Sequence, residues 1–199
     1  MRGGILTLIK PNEDFLAWHD GNGKKLSGDF IWNWHLNREG SYSVSYLVQS
    51  LAFTKWMQGC FDRTLVAGLS QGGAAAMLNA LQSEPDLAIV ASGSSVINDL
   101  AEWSGHSQLI GVPGYRALSR PEYLVDRLKQ SPAQWFFSWG KQEIGTYRIE
   151  AEEQRTAEVI RMLPNVTTAV HDEGHVFPVQ EIRSFLANSP SHSSTYKTN

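Results

Sequence analysis

The sequence predicts an α/β protein built on a mostly parallel sheet with helices on both faces. Three observations carry this. Short apolar runs rich in β-branched and aromatic residues alternate with helix-length amphipathic segments, the order that produces β–α–β crossovers. One such run, Thr64 to Ala67, passes through a glycine-rich turn directly into an alanine-rich segment. The residues with candidate chemistry, Ser70, Glu143 and His175, each follow an expected strand, and a parallel sheet gathers its site at the carboxyl ends of its strands.

Taken in order, Ile5 to Lys10 is the first expected strand. Asp29 to Leu36 is the second, with Phe30, Trp32 and Trp34 on one face by period two. Residues 12–28 between them fit either a short helix and loop or a hairpin turning at Asp20-Gly21-Asn22-Gly23. Ser43 to Gly59 is helical, with Val44, Leu47, Val48, Leu51 and Trp56 on one side. The Thr64 strand and its following helix come next, then a strand from Leu87 to Ala91 that ends at Ser92-Gly93-Ser94. Residues 94–133 are longer than a simple crossover helix. They fit a cap insertion or a surface excursion carrying one short helix, Pro121 to Lys129. Trp135 to Trp139 is a strand, Thr146 to Leu163 an amphipathic helix, Val166 to Val170 a strand, and Pro178 to Ala187 the last helix. The expected organisation is a single domain over 1–187 followed by a disordered tail, 188–199, rich in Ser, Thr and Asn.

The stretch Gly68-Leu69-Ser70-Gln71-Gly72 has the G-x-S-x-G spacing, set between a strand and a helix. In that setting the serine sits on a sharp, strained turn that lifts its Oγ clear of the sheet. The expectation is that Gly68 and Gly72 flank it because a Cβ at either would collide with the neighbouring strand or helix. Ala74, Ala75 and Ala76 let the helix lie close to the sheet. The helix then points its free N–H groups at the site of developing negative charge.

Gly68-Leu69-Ser70-Gln71-Gly72-Gly73 resembles the Gly-Phe-Ser-Gln-Gly-Gly signature of the carboxylesterase and acyl-protein thioesterase branch of the α/β-hydrolases. The match is specific over these six residues, and the order of elements extends it loosely over most of the chain. The resemblance implies a Ser–acid–His triad in that chain order. It also implies a minimal or truncated α/β-hydrolase-like sheet, since the leading antiparallel strands of the full fold have no counterpart.

Two histidines are candidates for the base. His171 ends the strand from Val166, and His175 follows in the loop before the last helix. Gly174-His175 matches the Gly-His of the family, which favours His175 and leaves His171 as a strand-end histidine, hydrogen-bonded or solvated. His19, His35, His106 and His192 have no supporting context. For the acid, Gly140-Lys141-Gln142-Glu143 follows the aromatic strand where the family shows Gly-x-x-Asp. Glu143 therefore takes the acid's place, where it fixes the imidazole tautomer and stabilises the imidazolium. A surface role for Glu143 beside Lys141 is the plain alternative, and Asp172 and Glu150 are the other carboxylates. The elbow assigns the first oxyanion donor to the backbone N–H of Gln71. The family's second donor comes from a His-Gly after an early strand. This chain has Lys10-Pro11 there, and proline has no N–H, so Asn12 is the candidate.

Composition bounds the function. The chain has 199 residues, 42% of them hydrophobic, enough for one substantial core. A net charge of −3 without a basic block gives nucleic-acid binding no support. Cys60 is the sole cysteine, so no internal disulfide forms, and no Cys/His cluster has metal spacing. The apolar part of the N-terminus is too short for a signal-peptide core, and no segment approaches bilayer length, so the expected location is cytoplasmic. The expected activity is hydrolysis of a small-molecule carboxylic ester or thioester by Ser70, His175 and Glu143, with no cofactor or metal. An amide or C–C bond hydrolase on the same triad, and a non-catalytic binding protein of this fold, are the alternatives.

Overall fold

Four of the expected strands lie side by side, and their burial explains their composition. The computed structural model describes residues 42–93, 121–143 and 158–189. The elements are α1 (Tyr42–Cys60), β1 (Leu65–Leu69), α2 (Gln71–Ser83), β2 (Leu87–Ala91), α3 (Pro121–Gln130), β3 (Gln134–Gly140), β4 (Val166–His171) and α4 (Val179–Asn188). The strands pair in the order β1-β2-β3-β4, and every pairing is parallel. The expected strands at 5–10 and 29–36, and residues 12–28, 94–120 and 144–157, lie outside the described residues. All four strands fall within the compact unit Leu51–Asn199.

Strand side chains alternate between faces, so a strand buried throughout must be covered on both sides. β2 is buried along its whole length and β3 at all but its first residue. This is why both are continuous apolar runs rather than alternating ones. The register Ile89↔Phe136 puts these two side chains on one face. There α4 closes the core: Leu87, Ile89, Phe136 and Phe185 form one cluster, with Ala169 and Ile182 packed against it. The Phe136 and Phe185 rings lie 5.3 Å apart. The opposite face of β3 carries Trp135, Phe137 and Trp139, stacked at 5.8 and 6.3 Å and buried. These aromatic residues are core, not binding surface.

Polar groups join the helices to this core. Asn165, just before β4, turns its Nδ2 to the carbonyls of Leu128, Ser131 and Ala133, at 2.9, 3.1 and 3.2 Å. That anchors the α3–β3 turn to the start of β4. Thr54 of α1 accepts a bond of 3.0 Å from Asn79 Nδ2 of α2, and both residues are buried. The Thr54 contact corrects part of the face expected of α1. Val48 and Trp56 are 59% and 61% exposed and Leu47 and Leu51 half-buried, while among the described side chains of the helix the buried one is the polar Thr54. Apolar periodicity misses a helix that docks through a side-chain hydrogen bond. The helix expected to reach Leu163 also stops early. Residues 158–160 are helical and 161–165 are turn, with tight bonds from Met162 N to Val159 O and from Leu163 N to Ile160 O. Pro164 accounts for this, because it disfavours helical geometry at the residue before it.

Phe185 is the test of the α4 seal. Phe185→Ala should destabilise the protein by about 3–5 kcal/mol, read as a fall in the urea midpoint. Truncating the exposed Leu186 next to it should cost under about 0.5 kcal/mol.

Candidate active site

The carboxyl ends of β1 to β4 carry, in order, Ser70, Ser92, Glu143 and His175. Ser70 alone makes the turn between β1 and α2. Its φ of 62° and ψ of −127° lie where residues with a Cβ rarely go, a strain of about 1–3 kcal/mol. Two backbone bonds hold it: Ser70 N–H to Ala91 O at 2.9 Å and Ala74 N–H to Ser70 O at 3.0 Å. Gln71 opens the helix, so its backbone N–H is among those a helix leaves unpaired at its start.

The glycines around Ser70 divide differently from expectation. A Cβ on Gly68 would fall on the Gly72 carbonyl, as the motif requires. A Cβ on Gly72 would meet nothing within 4 Å. The crowded residue is instead Gly73, whose Cβ would stand 2.7 Å from Ala91 O and 3.0 Å from Gly93 Cα. Gly93 is crowded in return, with Gly73 and Ala74 backbone atoms at 2.5–2.6 Å from its would-be Cβ. The second glycine of the Gly-Gly pair is the one that lets α2 touch the end of β2. The alanines after it are buried, as expected.

Glu143 and His175 meet because their loops are joined by backbone. Lys141 N–H donates to His171 O at 2.8 Å and Gln142 N–H to Glu173 O at 3.1 Å. Gly140 lacks the Cβ that would strike the carbonyls of Glu173 and Gly174. The result is a bond of 2.8 Å between His175 Nδ1 and Glu143 Oε2. The glutamate side chain is fully buried and the imidazole is 28% exposed. A carboxylate only accepts, so Nδ1 is the donor in this bond, and in the neutral imidazole Nε2 is then an acceptor. The surface role for Glu143 is thereby overturned. The other glutamate oxygen, Oε1, accepts a hydrogen bond from Ser92 Oγ. Ser92 is fully buried and went unnoticed in the sequence. Its signal was only its place, at the end of a strand beside the elbow.

The alternatives sort themselves by geometry. Asp172 pairs with Lys141 at 2.6 Å, with both side chains exposed. The lysine's hydrogen bond and charge hold its carboxyl below the usual range. Glu150 and Asn12, the proposed second oxyanion donor, lie outside the described residues, as do His19, His35, His106 and His192. His171 ends β4 as expected, yet its imidazole is neither hydrogen-bonded nor solvated. The ring is buried, and both its nitrogens lack a partner among the described residues. Cys60 is an exposed thiol at the end of α1.

A groove of about 460 Å³ opens elsewhere, between β3, β4 and α4, with Gln134, Phe136, Ala169, Gln180 and Ser184 in its wall. It includes the amino end of β3, so it is separate from the residues at the carboxyl ends. Among the described residues no cluster of His, Cys, Asp and Glu is arranged to hold a metal, and no helix is long and apolar enough to cross a membrane.

No protein-family model matches the sequence, and no curated protein sequence does. Among solved structures, the chain is similar to an esterase of Pyrococcus furiosus, Pf2001, at 20% identity and a TM-score of 0.47. That alignment covers 70% of this chain and 56% of the esterase. It is also similar to an acetyl xylan esterase from Paenibacillus sp. R4 (19% identity, TM-score 0.49, 75% and 52% covered). A third is an α/β hydrolase enzyme, MGS-MChE2, from a lagoon-sediment metagenome of Mar Chica, Morocco (14% identity, TM-score 0.45, 73% and 68% covered). The chain thus spans little more than half the length of the first two. Likeness at this level leaves the functional reading to the chain's own residues.

The glycine geometry predicts opposite outcomes for neighbours. Gly73→Ala should cost about 1–3 kcal/mol, because backbone rather than a flexible side chain blocks the new methyl. Gly72→Ala should be neutral or stabilising by up to about 1 kcal/mol, since it replaces a helical glycine in open space. Urea denaturation of the two variants checks this.

Proposed function

We propose that the protein is a serine hydrolase of the α/β-hydrolase type, cleaving a carboxylic ester or thioester through an acyl-enzyme. The observation that carries this reading is the buried Glu143–His175 bond, made at the same carboxyl edge of the sheet as Ser70, a serine held at positive φ. A fully buried carboxylate is costly unless it is used as an acceptor. Here it fixes the imidazole with Nε2 free of its own proton.

In this reading Ser70 Oγ attacks the acyl carbon while His175 Nε2 takes its proton. Glu143 stabilises the imidazolium that forms. The backbone N–H of Gln71 receives the oxyanion, helped by the positive end of α2. His175 then returns the proton to the leaving alcohol or thiol. Water, activated by the same imidazole, releases the acid. Val176 and Phe177, 39% and 38% exposed just after His175, offer apolar surface for an acyl group. The machinery calls on no cofactor.

The test is labelling and turnover. A fluorophosphonate probe should modify Ser70, and Ser70→Ala should abolish both labelling and hydrolysis of an activated ester, a loss of about 10⁴-fold or more. Unlabelled wild-type protein would overturn the reading in favour of a binding role. His175→Ala should lose activity as completely as Ser70→Ala, since triad members act as a unit. His171→Ala, per folded molecule, should keep most of it.

The acid is tested separately. Glu143→Gln should lower kcat by about 10³- to 10⁴-fold, because an amide can stabilise the wrong tautomer. Glu143→Asp should also fall well below wild type, because the loop is built around the longer side chain. Asp172→Asn should stay within about twofold, since only an exposed ion pair is lost. Any stability from that pair is present above the unfolded aspartate's pKa and fades as pH falls through the lowered folded value.

A further inference from the structure

We infer that Ser92 is a positioning residue: its hydroxyl clamps Glu143 Oε1 so that Oε2 is presented squarely to His175 Nδ1. The inference rests on the hydrolase reading of the same site and adds a residue to it.

Three observations support the clamp. The first is the bond itself. Ser92 Oγ donates to Oε1 and His175 Nδ1 lies on Oε2, so the two oxygens of one carboxylate are held from different strands. A carboxylate bonded at one oxygen can swing about its terminal torsion, which is soft. Bonded at both, it has a fixed plane. The second is burial. Ser92 and the Glu143 side chain are fully inaccessible, so the hydroxyl donates without competition from bulk solvent.

The third is backbone geometry. Among the described residues three without glycine's freedom sit at positive φ: Ser70, Glu84 and Ser92. Glu84 is the left-handed cap that ends α2, its N–H returning to Ala80 O, a common way to finish a helix. Ser70 and Ser92 are the other two, and both stand at the site. Ser92, at φ 46°, is placed by its N–H bond of 2.8 Å to Ser138 O. Glycine would take that conformation without strain. Serine is retained there at a cost, and what it supplies beyond glycine is the hydroxyl aimed at Glu143. Strain held at a site in this way points to use.

The alternative is that Ser92 serves only the backbone turn. Ser92→Gly and Ser92→Ala separate the two. Both remove the hydroxyl, but glycine relieves the positive φ and alanine does not. Each variant is assayed for kcat and KM on an activated ester, for thermal midpoint, and for the downfield proton resonance of His175 Nδ1–H. That resonance is assigned by its loss in His175→Ala.

If the hydroxyl is the clamp, both variants lose about 10- to 100-fold in kcat, the worth of a hydrogen bond to a charged group. KM is unchanged, and the Nδ1–H resonance moves upfield or is lost to exchange. Ser92→Gly has the higher thermal midpoint of the two and is no more active. In a Glu143→Gln background, Ser92→Ala lowers kcat little further, because the two residues act through one contact. Wild-type kcat and an unshifted resonance in either variant would overturn the clamp. So would recovery of activity in Ser92→Gly alone, or full additivity with Glu143→Gln. The resonance is read without turnover. Absence of Ser70-dependent hydrolysis in the wild type therefore removes the hydrolase reading, while the effect of Ser92 on His175 is still decided.

Discussion

At the junction of β1 and α2 the chain reverses without a loop: Leu69 ends the strand, Gln71 begins the helix, and Ser70 makes the turn by itself. Such a turn brings backbone onto backbone. Gly68 faces the Gly72 carbonyl, and Gly73 faces Ala91 and Gly93 at distances that admit no Cβ. The approach also fixes β1 to β2, since the N–H of Ser70 bonds to Ala91 O. Ser92 follows at once, so the elbow and the donor to Glu143 are set by the same few backbone contacts. The helix start, the serine and the end of β2 cannot move independently.

The second constraint is a carboxylate taken out of water. An ionised side chain with no exposure must have its lone pairs occupied or lose its charge. The fold meets this with donors from two other strands, Ser92 after β2 and His175 after β4. The requirement reaches back into the chain. Gly140 must be bare for the 173–174 carbonyls to come close, and the 141–142 amides must tie to residues 171 and 173. A loop that is short and polar in the sequence is therefore among the most constrained parts of the molecule.

These features differ in how far the sequence reveals them. β2 was legible to the residue, because a run of Leu, Ala, Ile and Val buried on both faces has few other uses. β3, β4 and α4 were legible to within a residue or so at each end. The elbow was legible because its spacing is dictated by sterics within a few neighbouring residues. Glu143 is singled out by the resemblance, which sets an acid three residues after Gly140, a local distance again. What failed was non-local. The Thr54–Asn79 bond joins residues 25 apart and Ser92–Glu143 residues 51 apart, and neither leaves any periodic trace. Gly72 and Gly73 are identical in the sequence, and only the position of β2 tells which is crowded. The early stop before Pro164 is local, set by the proline next to it.

His171 and His175 show how strand register decides what residue type cannot. Side chains on β4 alternate, so His171 shares a face with Ala169, and Ala169 packs against the Phe136–Phe185 cluster. The same pleat turns the imidazole inward, where its ring nitrogens find no partner. Four residues later the chain has left the strand. The 2.9 Å bond from Val176 N–H to Gly174 O draws a tight turn around His175, and its ring comes to the buried glutamate instead. An imidazole can move a proton only between groups within its reach. His175 has a carboxylate on one nitrogen and partial access to solvent. The buried ring nitrogens of His171 have no hydrogen-bond partner among the described residues. One extra residue in β4 would turn His171 to the other face, which is why strand register, rather than the spacing of two histidines, separates a core residue from a candidate base.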